Sequence, residues 1–133
     1  MRKLIELMET NPPATDEAIK EAEDELGMAF PREYREFMLE SNGAEGRIGQ
    51  NSYLAIWPVE EVAPLNKVAK VEEFTPGLVY FGSDGGGIAY AFDKRVVSLP
   101  IVKFHDELIH IEEAVKIADT FTGFLQYLYD YED

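Results

Sequence analysis

The sequence predicts an α+β fold: a single domain over residues 1–133, with a largely antiparallel or mixed sheet flanked by N-terminal helices and one C-terminal helix. Two amphipathic helix patterns occupy the first third of the chain. Strand patterns separated by turn signals fill the middle, and another helix pattern closes the sequence. A chain of 133 residues is long enough to bury the core of one ordinary domain.

Start and stop signals mark the first and last helix patterns. Residues 2–9 suit a short helix because their apolar side chains fall on one side. In "NPPATDEAIKEAEDELG", Thr15 can cap a helix that Gly27 ends, and acidic residues in the first turn complement the helix dipole. The closing segment, "DTFTGFLQYLYDYED", is predicted to be helical with Asp119 as its cap.

The segment "FPREYREFMLESNG" predicts the second helix of the N-terminal third. Pro31 fits the first helical position, where a missing N–H costs nothing. Asn42 and Gly43 suit a left-handed helix stop. The apolar stripe between these signals comprises Tyr34, Phe37 and Met38. A helix with such a stripe is expected to pack against the sheet.

Strand patterns follow over residues 52–58, 77–82, 87–93 and 96–104. A short helix is predicted between the first two, in "PVEEVAPLNKV". In 87–93, large and small side chains alternate, so they should face opposite sides of the sheet. The large ones are Ile88, Tyr90 and Phe92, and the small ones are Ala89 and Ala91. Pro100 indicates a sheet edge or a bulge, and residues 105–118 show no clear pattern.

The glycine-rich stretch "FGSDGGGIAYAFDKR", residues 81–95, raises the question of a nucleotide site. A phosphate-binding loop needs Lys and then Ser or Thr after its last glycine, at the start of a helix. Here Ile88 and a strand pattern follow, and Asp84 would repel phosphate. Asp-Gly between two apolar runs predicts a hairpin turn instead, because glycine reaches positive φ angles. A binding role for the exposed loop stays open.

No catalytic, metal or cofactor motif is found. The chain has no cysteine, which excludes thiolate chemistry and disulfides and fits a cytoplasmic protein. His105 and His110 lie roughly 140° apart around a helix, unlike the ligands of the zinc-protease motif. Three acidic pairs are read as solvated surface rather than as acid–base groups. These pairs are Glu60-Glu61, Glu72-Glu73 and Glu112-Glu113.

The net charge of −14 predicts that the chain avoids nucleic acid and anionic membranes and attracts basic partners, unless it serves solubility alone. No segment resembles a membrane span or a signal peptide. Trp57 suits core packing, with ligand stacking as the alternative. Tyr127 and Tyr131 lie one helical turn apart, where they form a contact surface or cover the core edge.

Several stretches, taken in order, resemble the SUKH superfamily, the domain first known from a yeast cell-wall assembly regulator and widespread in bacteria. They are "ELGMAFPREYREFMLESNG", "LAIWPVEEV", "GLVYFGSDGGGIAYAFD", "SLPIV" and "ADTFTGFLQYL", and together they run from about Thr15 to Leu128. The family pattern falls on Pro31, Asn42, Gly43, Trp57, Asp84, Gly85 and Gly86, which we interpret as fold markers. The chain departs from the pattern at Phe30 and Gly123, where the family usually has Leu and Glu.

This resemblance implies a non-catalytic α+β domain over 1–133 that needs no cofactor. Many bacterial members are similar to immunity proteins, which bind and neutralise toxins, frequently nucleases. The partner expected here is therefore a basic protein toxin domain. The contact candidates are Glu60, Glu61, Glu72, Glu73, Asp84, Tyr127 and Tyr131. The alternative is a regulatory interaction scaffold or a small-ligand-sensing module that acts as a homodimer.

Overall fold

The computed structural model describes residues 2–105 and 111–132, and in these ranges seven strands accompany five α-helices. The strands are β1 (Met8–Thr10), β2 (Ala44–Ile48), β3 (Ser52–Ile56), β4 (Leu78–Ser83), β5 (Ile88–Asp93), β6 (Ile101–His105) and β7 (Val115–Ala118). The helices are α1 (Asp16–Leu26), α2 (Arg32–Glu40), α3 (Val59–Val68), α4 (Val71–Phe74) and α5 (Phe121–Asp130). Short 3-10 turns cover Arg2–Ile5 and Ile111–Glu113. No helix in the described ranges has the length and apolar character needed to cross a membrane.

The sheet is antiparallel throughout, and its spatial order from β1 to β7 is the order of the strands in the chain. Helices α1 and α2 lie between β1 and β2 in the chain, α3 and α4 lie between β3 and β4, and α5 follows β7. The predicted α+β class is confirmed. Of the two predicted sheet types, the antiparallel one is observed.

The sheet buries side chains on both faces. The larger core joins Phe92 of β5 to the apolar stripes of α1, α2 and α5. The smaller core joins Ala89 and Ala91 to Val71 of α4 and to neighbouring strands. The predicted alternation along β5 is therefore confirmed, and its small side chains belong to the smaller core.

Short sequence signals correctly predicted the start and end of α1, the start of α2 and the presence of α3. The Thr15 hydroxyl accepts a hydrogen bond from the Ala18 N–H at 3.1 Å, and Gly27 ends α1 in the left-handed conformation with φ of 67°. Pro31 directly precedes α2, as its missing N–H favours. The predicted helix in "PVEEVAPLNKV" is α3. The signals at Thr15, Gly27 and Pro31 act within one helical turn, so distant contacts did not change them.

Two predicted helix boundaries are wrong. Helix α2 ends at Glu40, and the next residue, Ser41, has an extended conformation. Gly43 has φ of +83°, but it lies at the entry to β2 and not at the end of the helix. The reason is tertiary, because a Cβ on Gly43 would lie 2.5 Å from the Ile56 carbonyl oxygen. At the other end of the chain, Thr120 rather than Asp119 caps α5 through the Gly123 N–H at 3.0 Å. Asp119 pairs with Lys116 instead.

The remaining errors concern the two edge strands, β1 and β7, and their neighbours β2 and β6. The predicted helix over 2–9 is a 3-10 turn followed by β1, which pairs with β2. The strand predicted over 96–104 begins at Ile101, after a turn in which Leu99 has φ of 54°. Strands β2 and β7 were not predicted. A strand of three to five residues depends on its neighbours for its hydrogen bonds, so its own sequence specifies it weakly.

Candidate interaction surface

The glycine-rich stretch forms the hairpin between β4 and β5, as predicted. The Asp84 backbone N–H donates to the Ile88 carbonyl at 3.0 Å. Its carboxylate oxygen Oδ1 accepts from the N–H groups of Gly86 and Ile88, at 2.8 and 3.0 Å. Gly85 and Gly87 have φ angles of +79° and +109°. The carboxylate therefore organises the turn and does not leave its backbone N–H groups free to cradle a phosphate.

A cavity of about 320 Å³, which we call the tyrosine groove, lies beside this hairpin. The start of β3, the β4–β5 hairpin, β6 and the end of α5 contribute its walls. Its lining residues are Asn51, Ser52, Tyr53, Asp84, Ile88, Tyr90, Lys103, Tyr127, Leu128 and Tyr131. Three of the seven predicted contact residues, Asp84, Tyr127 and Tyr131, thus line one cavity, although Asp84 is distant in the chain from the two tyrosines.

Two hydrogen bonds hold the end of α5 against the start of β3. The Ser52 hydroxyl donates to the Leu128 carbonyl at 2.8 Å, and the Asn51 side chain donates to the Tyr131 carbonyl at 3.0 Å. The rings of Tyr127 and Tyr131 lie with centroids 6.1 Å apart. The Tyr53 ring lies next to Gly85, where an added Cβ would be 3.4 Å from it. These contacts fix the position of the end of α5 relative to the start of β3, which are two walls of the groove.

Tyrosine hydroxyls in the groove differ in their surroundings. Tyr90 is 5% exposed, and its ring packs edge-on against Phe124 with centroids 4.9 Å apart. Burial raises the pKa of Tyr90, and the charges of Asp84, Tyr127 and Tyr131 raise it further. Tyr53 donates its hydroxyl to Glu45, and this hydrogen bond raises the pKa of Tyr53. The hydroxyls of Tyr53 and Tyr90 are therefore protonated at neutral pH and can donate or accept hydrogen bonds.

A second cavity of about 410 Å³ adjoins the groove through the shared residues Asn51 and Tyr131. It adds Tyr129, so five of the chain's seven tyrosines line the two cavities. The described residues that line the two cavities carry four carboxylates and one ammonium group, that of Lys103. The carboxylates are those of Glu6, Asp84, Asp130 and Glu132. This surface therefore combines aromatic side chains with net negative charge.

The other four predicted contact residues lie elsewhere. Glu72 and Glu73 line a separate cavity of about 360 Å³ beside α4, and Glu72 approaches the Lys94 ammonium at 3.7 Å. Glu60 and Glu61 are exposed in the first turn of α3, where Glu60 accepts a hydrogen bond from the Asn42 side chain at 2.7 Å. These four carboxylates do not join the tyrosine groove.

The seven fold markers have structural positions that suit that interpretation. Asn42 caps α3 by accepting the Val59 N–H at 2.8 Å, and Gly43 allows close backbone approach to β3. Trp57 is half-buried against the smaller core. Pro31 precedes α2, and Asp84, Gly85 and Gly86 form the hairpin.

Sequence reasoning missed Tyr53, Tyr90, Tyr129 and Lys103. The alternation of β5 predicts only that Tyr90 shares a face with Ile88 and Phe92, whereas the structure places it both in the larger core and on the wall of the groove. The outward-facing position of Tyr53 in β3 was a usable signal, because it alternates with buried Leu54. His105 is exposed at the end of β6, whereas His110 lies outside the described residues.

Comparison with known proteins gives two matches. The SMI1/KNR4 family (SUKH-1) matches residues 13–127. A protein of Bacillus subtilis (strain 168), named "Uncharacterized protein YnaB", is 30% identical over 117 residues, which cover 82% of this chain and 72% of the relative. Residues 13–127, which the family matches, contain every fold marker and most of the residues that line the tyrosine groove.

Proposed function

Because the chain belongs to the SMI1/KNR4 family (SUKH-1), we propose that it is a non-catalytic protein of the immunity type, which binds and neutralises a toxin domain. The observation that carries the proposal is the surface on which five tyrosines and four carboxylates meet. Tyrosine is enriched at protein interfaces because its ring supplies apolar area and its hydroxyl supplies a hydrogen bond.

Charge supports a basic partner for this surface. The chain carries a net charge of −14, so it attracts positively charged proteins over several ångströms and repels nucleic acid. A nuclease must present Lys and Arg to its substrate. An acidic protein that covers the same residues would block the substrate directly. A toxin of this type acts in the cytoplasm, where we place its inhibitor.

The predicted contact residues then have two roles. Asp84, Tyr127 and Tyr131 lie in the tyrosine groove and form the centre of the proposed interface. Glu60, Glu61, Glu72 and Glu73 are exposed outside it, and they contribute long-range attraction during encounter.

Calorimetry of the full chain with the toxin domain encoded by the neighbouring gene tests this function. Tyr131→Ala should weaken the complex about tenfold or more, as expected for an aromatic anchor. Phe74→Ala is the matched control, since Phe74 is 41% exposed, Tyr131 is 40% exposed, and Phe74 lies on α4 away from the groove. The control should change the dissociation constant less than about twofold. Failure to form a complex with that toxin or with other basic toxin domains would overturn the proposal.

A regulatory scaffold or small-ligand sensor, acting as a homodimer, is the second candidate. The cavity beside α4 favours it, because apolar side chains such as Leu26 and Leu78 line it together with Lys67 and Lys70. The amide of Asn66 at this cavity already binds Val62 and Tyr80, so it offers a ligand little. Sedimentation of the chain as a dimer, with a thermal shift on addition of a small metabolite, would favour this candidate over the first.

A further inference from the structure

Tyr90 is the most deeply buried polar residue that lines the tyrosine groove. It is 5% exposed, yet within residues 2–105 and 111–132 its hydroxyl makes no hydrogen bond. The Tyr90 side chain lines the groove, so a ligand there can supply the missing hydrogen-bond partner and gain free energy on binding. The hydroxyl therefore indicates a ligand with hydrogen-bond donors.

Asp84 supplies the charge beside it. The Oδ1 oxygen is occupied by two backbone N–H groups, whereas Oδ2 makes no hydrogen bond to the described part of the chain. The Tyr127 and Tyr131 rings line the same space. The groove thus presents a carboxylate oxygen, a phenol oxygen and aromatic rings to one small volume.

We propose that the tyrosine groove receives an arginine side chain of the basic protein partner, an inference that rests on the function proposed above. A guanidinium group has five N–H donors in a planar fork, so it can bond Asp84 and Tyr90 together while it stacks on Tyr127 or Tyr131. A lysine ammonium is a strongly hydrated point charge and satisfies fewer of these groups.

Lys103 makes the proposal sharply testable. Its half-buried side chain lines the groove from β6, and its backbone pairs with Tyr90. The ammonium repels a cationic ligand and attracts an anionic one. Lys103→Met should therefore strengthen binding of an arginine side chain several-fold. Unchanged or weaker arginine binding by this variant would show that the bound arginine does not lie beside Lys103 and would overturn the inference.

The direct test is an NMR titration of the full chain with N-acetyl-arginine amide, which does not require the toxin. Saturable shifts in the signals of Tyr90 and Tyr127, with a dissociation constant on the order of 10 mM, are expected. N-acetyl-citrulline amide, the neutral isostere, should give no saturable shifts. Absence of saturable arginine binding up to about 50 mM, or equal binding of citrulline, overturns the inference.

Asp84→Asn is the matched variant, because its amide oxygen still accepts the two N–H groups of the turn while the charge is lost. It should weaken arginine binding about tenfold and leave the melting temperature nearly unchanged. Glu21→Gln, on the exposed side of α1, removes the same charge elsewhere and should leave arginine binding unchanged. A toxin complex that Tyr131→Ala weakens and Asp84→Asn does not would leave the immunity function intact and reject the arginine site.

Discussion

The side-chain oxygen of Asn42 accepts a hydrogen bond from the backbone N–H of Val59 at 2.8 Å, so the segment after α2 caps α3. The side-chain nitrogen of Asn42 donates to the Glu60 carboxylate at 2.7 Å. Pro58, at the normal capping position of α3, has no side-chain donor or acceptor to offer. Asn42 thus accepts a hydrogen bond from a backbone N–H at the start of α3 that the adjacent Pro58 cannot satisfy.

Replacing this cap should destabilise the fold. We expect Asn42→Ala to lower the free energy of unfolding by about 1–2 kcal/mol, because an N–H at the start of α3 loses its acceptor. Asn42→Asp retains the acceptor and should recover part of that loss, although its charge faces Glu60. Urea denaturation of the three proteins measures the effect. Equal stability of the alanine variant and the natural chain would contradict the capping role.

The hairpin glycines should respond unequally to alanine. Gly87 has φ of +109°, a conformation that residues with a Cβ rarely adopt, so Gly87→Ala should cost about 1–3 kcal/mol. Gly86 has no such angle, and its added Cβ would meet only the Asp84 carboxylate at 3.7 Å. Gly86→Ala is therefore expected to be nearly neutral. Thermal unfolding of both variants decides the matter, and similar melting temperatures would be unexpected.

The hydroxyl group of Tyr34 is not expected to stabilise the core. The residue is fully buried among aromatic rings, and in the described part of the chain its hydroxyl has no hydrogen-bond partner. Tyr34→Phe should leave stability unchanged or raise it by about 1 kcal/mol, since an unsatisfied polar group is removed. Tyr80→Phe is the control, because the Tyr80 hydroxyl lies 3.4 Å from the Thr75 hydroxyl and its loss should destabilise. A marked loss of stability in Tyr34→Phe would disprove this account.

Asp93 should make stability depend on acid pH. Burial alone would raise the pKa of this carboxyl group, but hydrogen bonds from the Arg95 side chain and backbone, together with its charge, lower the pKa below its ordinary value. A lowered pKa in the folded state stabilises the protein fully above the unfolded value of about 3.9, and this contribution disappears as pH falls through the folded value. The stability difference between the natural chain and Asp93→Asn should therefore shrink below about pH 4. A difference that grows in acid would contradict the ion pair.

Electrostatic attraction should appear in the kinetics of toxin binding. The association rate is expected to fall about tenfold or more between low and high salt, because salt screens the charges that guide encounter. Glu72→Gln combined with Glu73→Gln should slow association at low salt and have little effect at high salt. Stopped-flow fluorescence measures both rates. A rate independent of salt would remove the steering role of these carboxylates.

Local patterns in the sequence determined the α+β class, the starts of α1 and α2, the β4–β5 hairpin and the alternation of β5. Each depends on interactions within one turn or along one strand, which a short stretch of residues specifies. The sequence also named Asp84, Tyr127 and Tyr131 as contact candidates. It did not show that they share one groove, since hydrogen bonds such as that from Asn51 to the Tyr131 carbonyl join segments 80 positions apart.

Tertiary structure alone decided the edge strands, the cap of α3 and the composition of the groove. Strand β1 forms because β2 supplies its hydrogen bonds, and Asn42 serves α3 because the fold brings it there. Tyr90 belongs to the larger core and packs on Phe124 of α5, but the fold also places it on the wall of a cavity with Asp84 and Tyr131. Long-range packing determines such positions, so alternation along a single strand cannot distinguish the core from its rim.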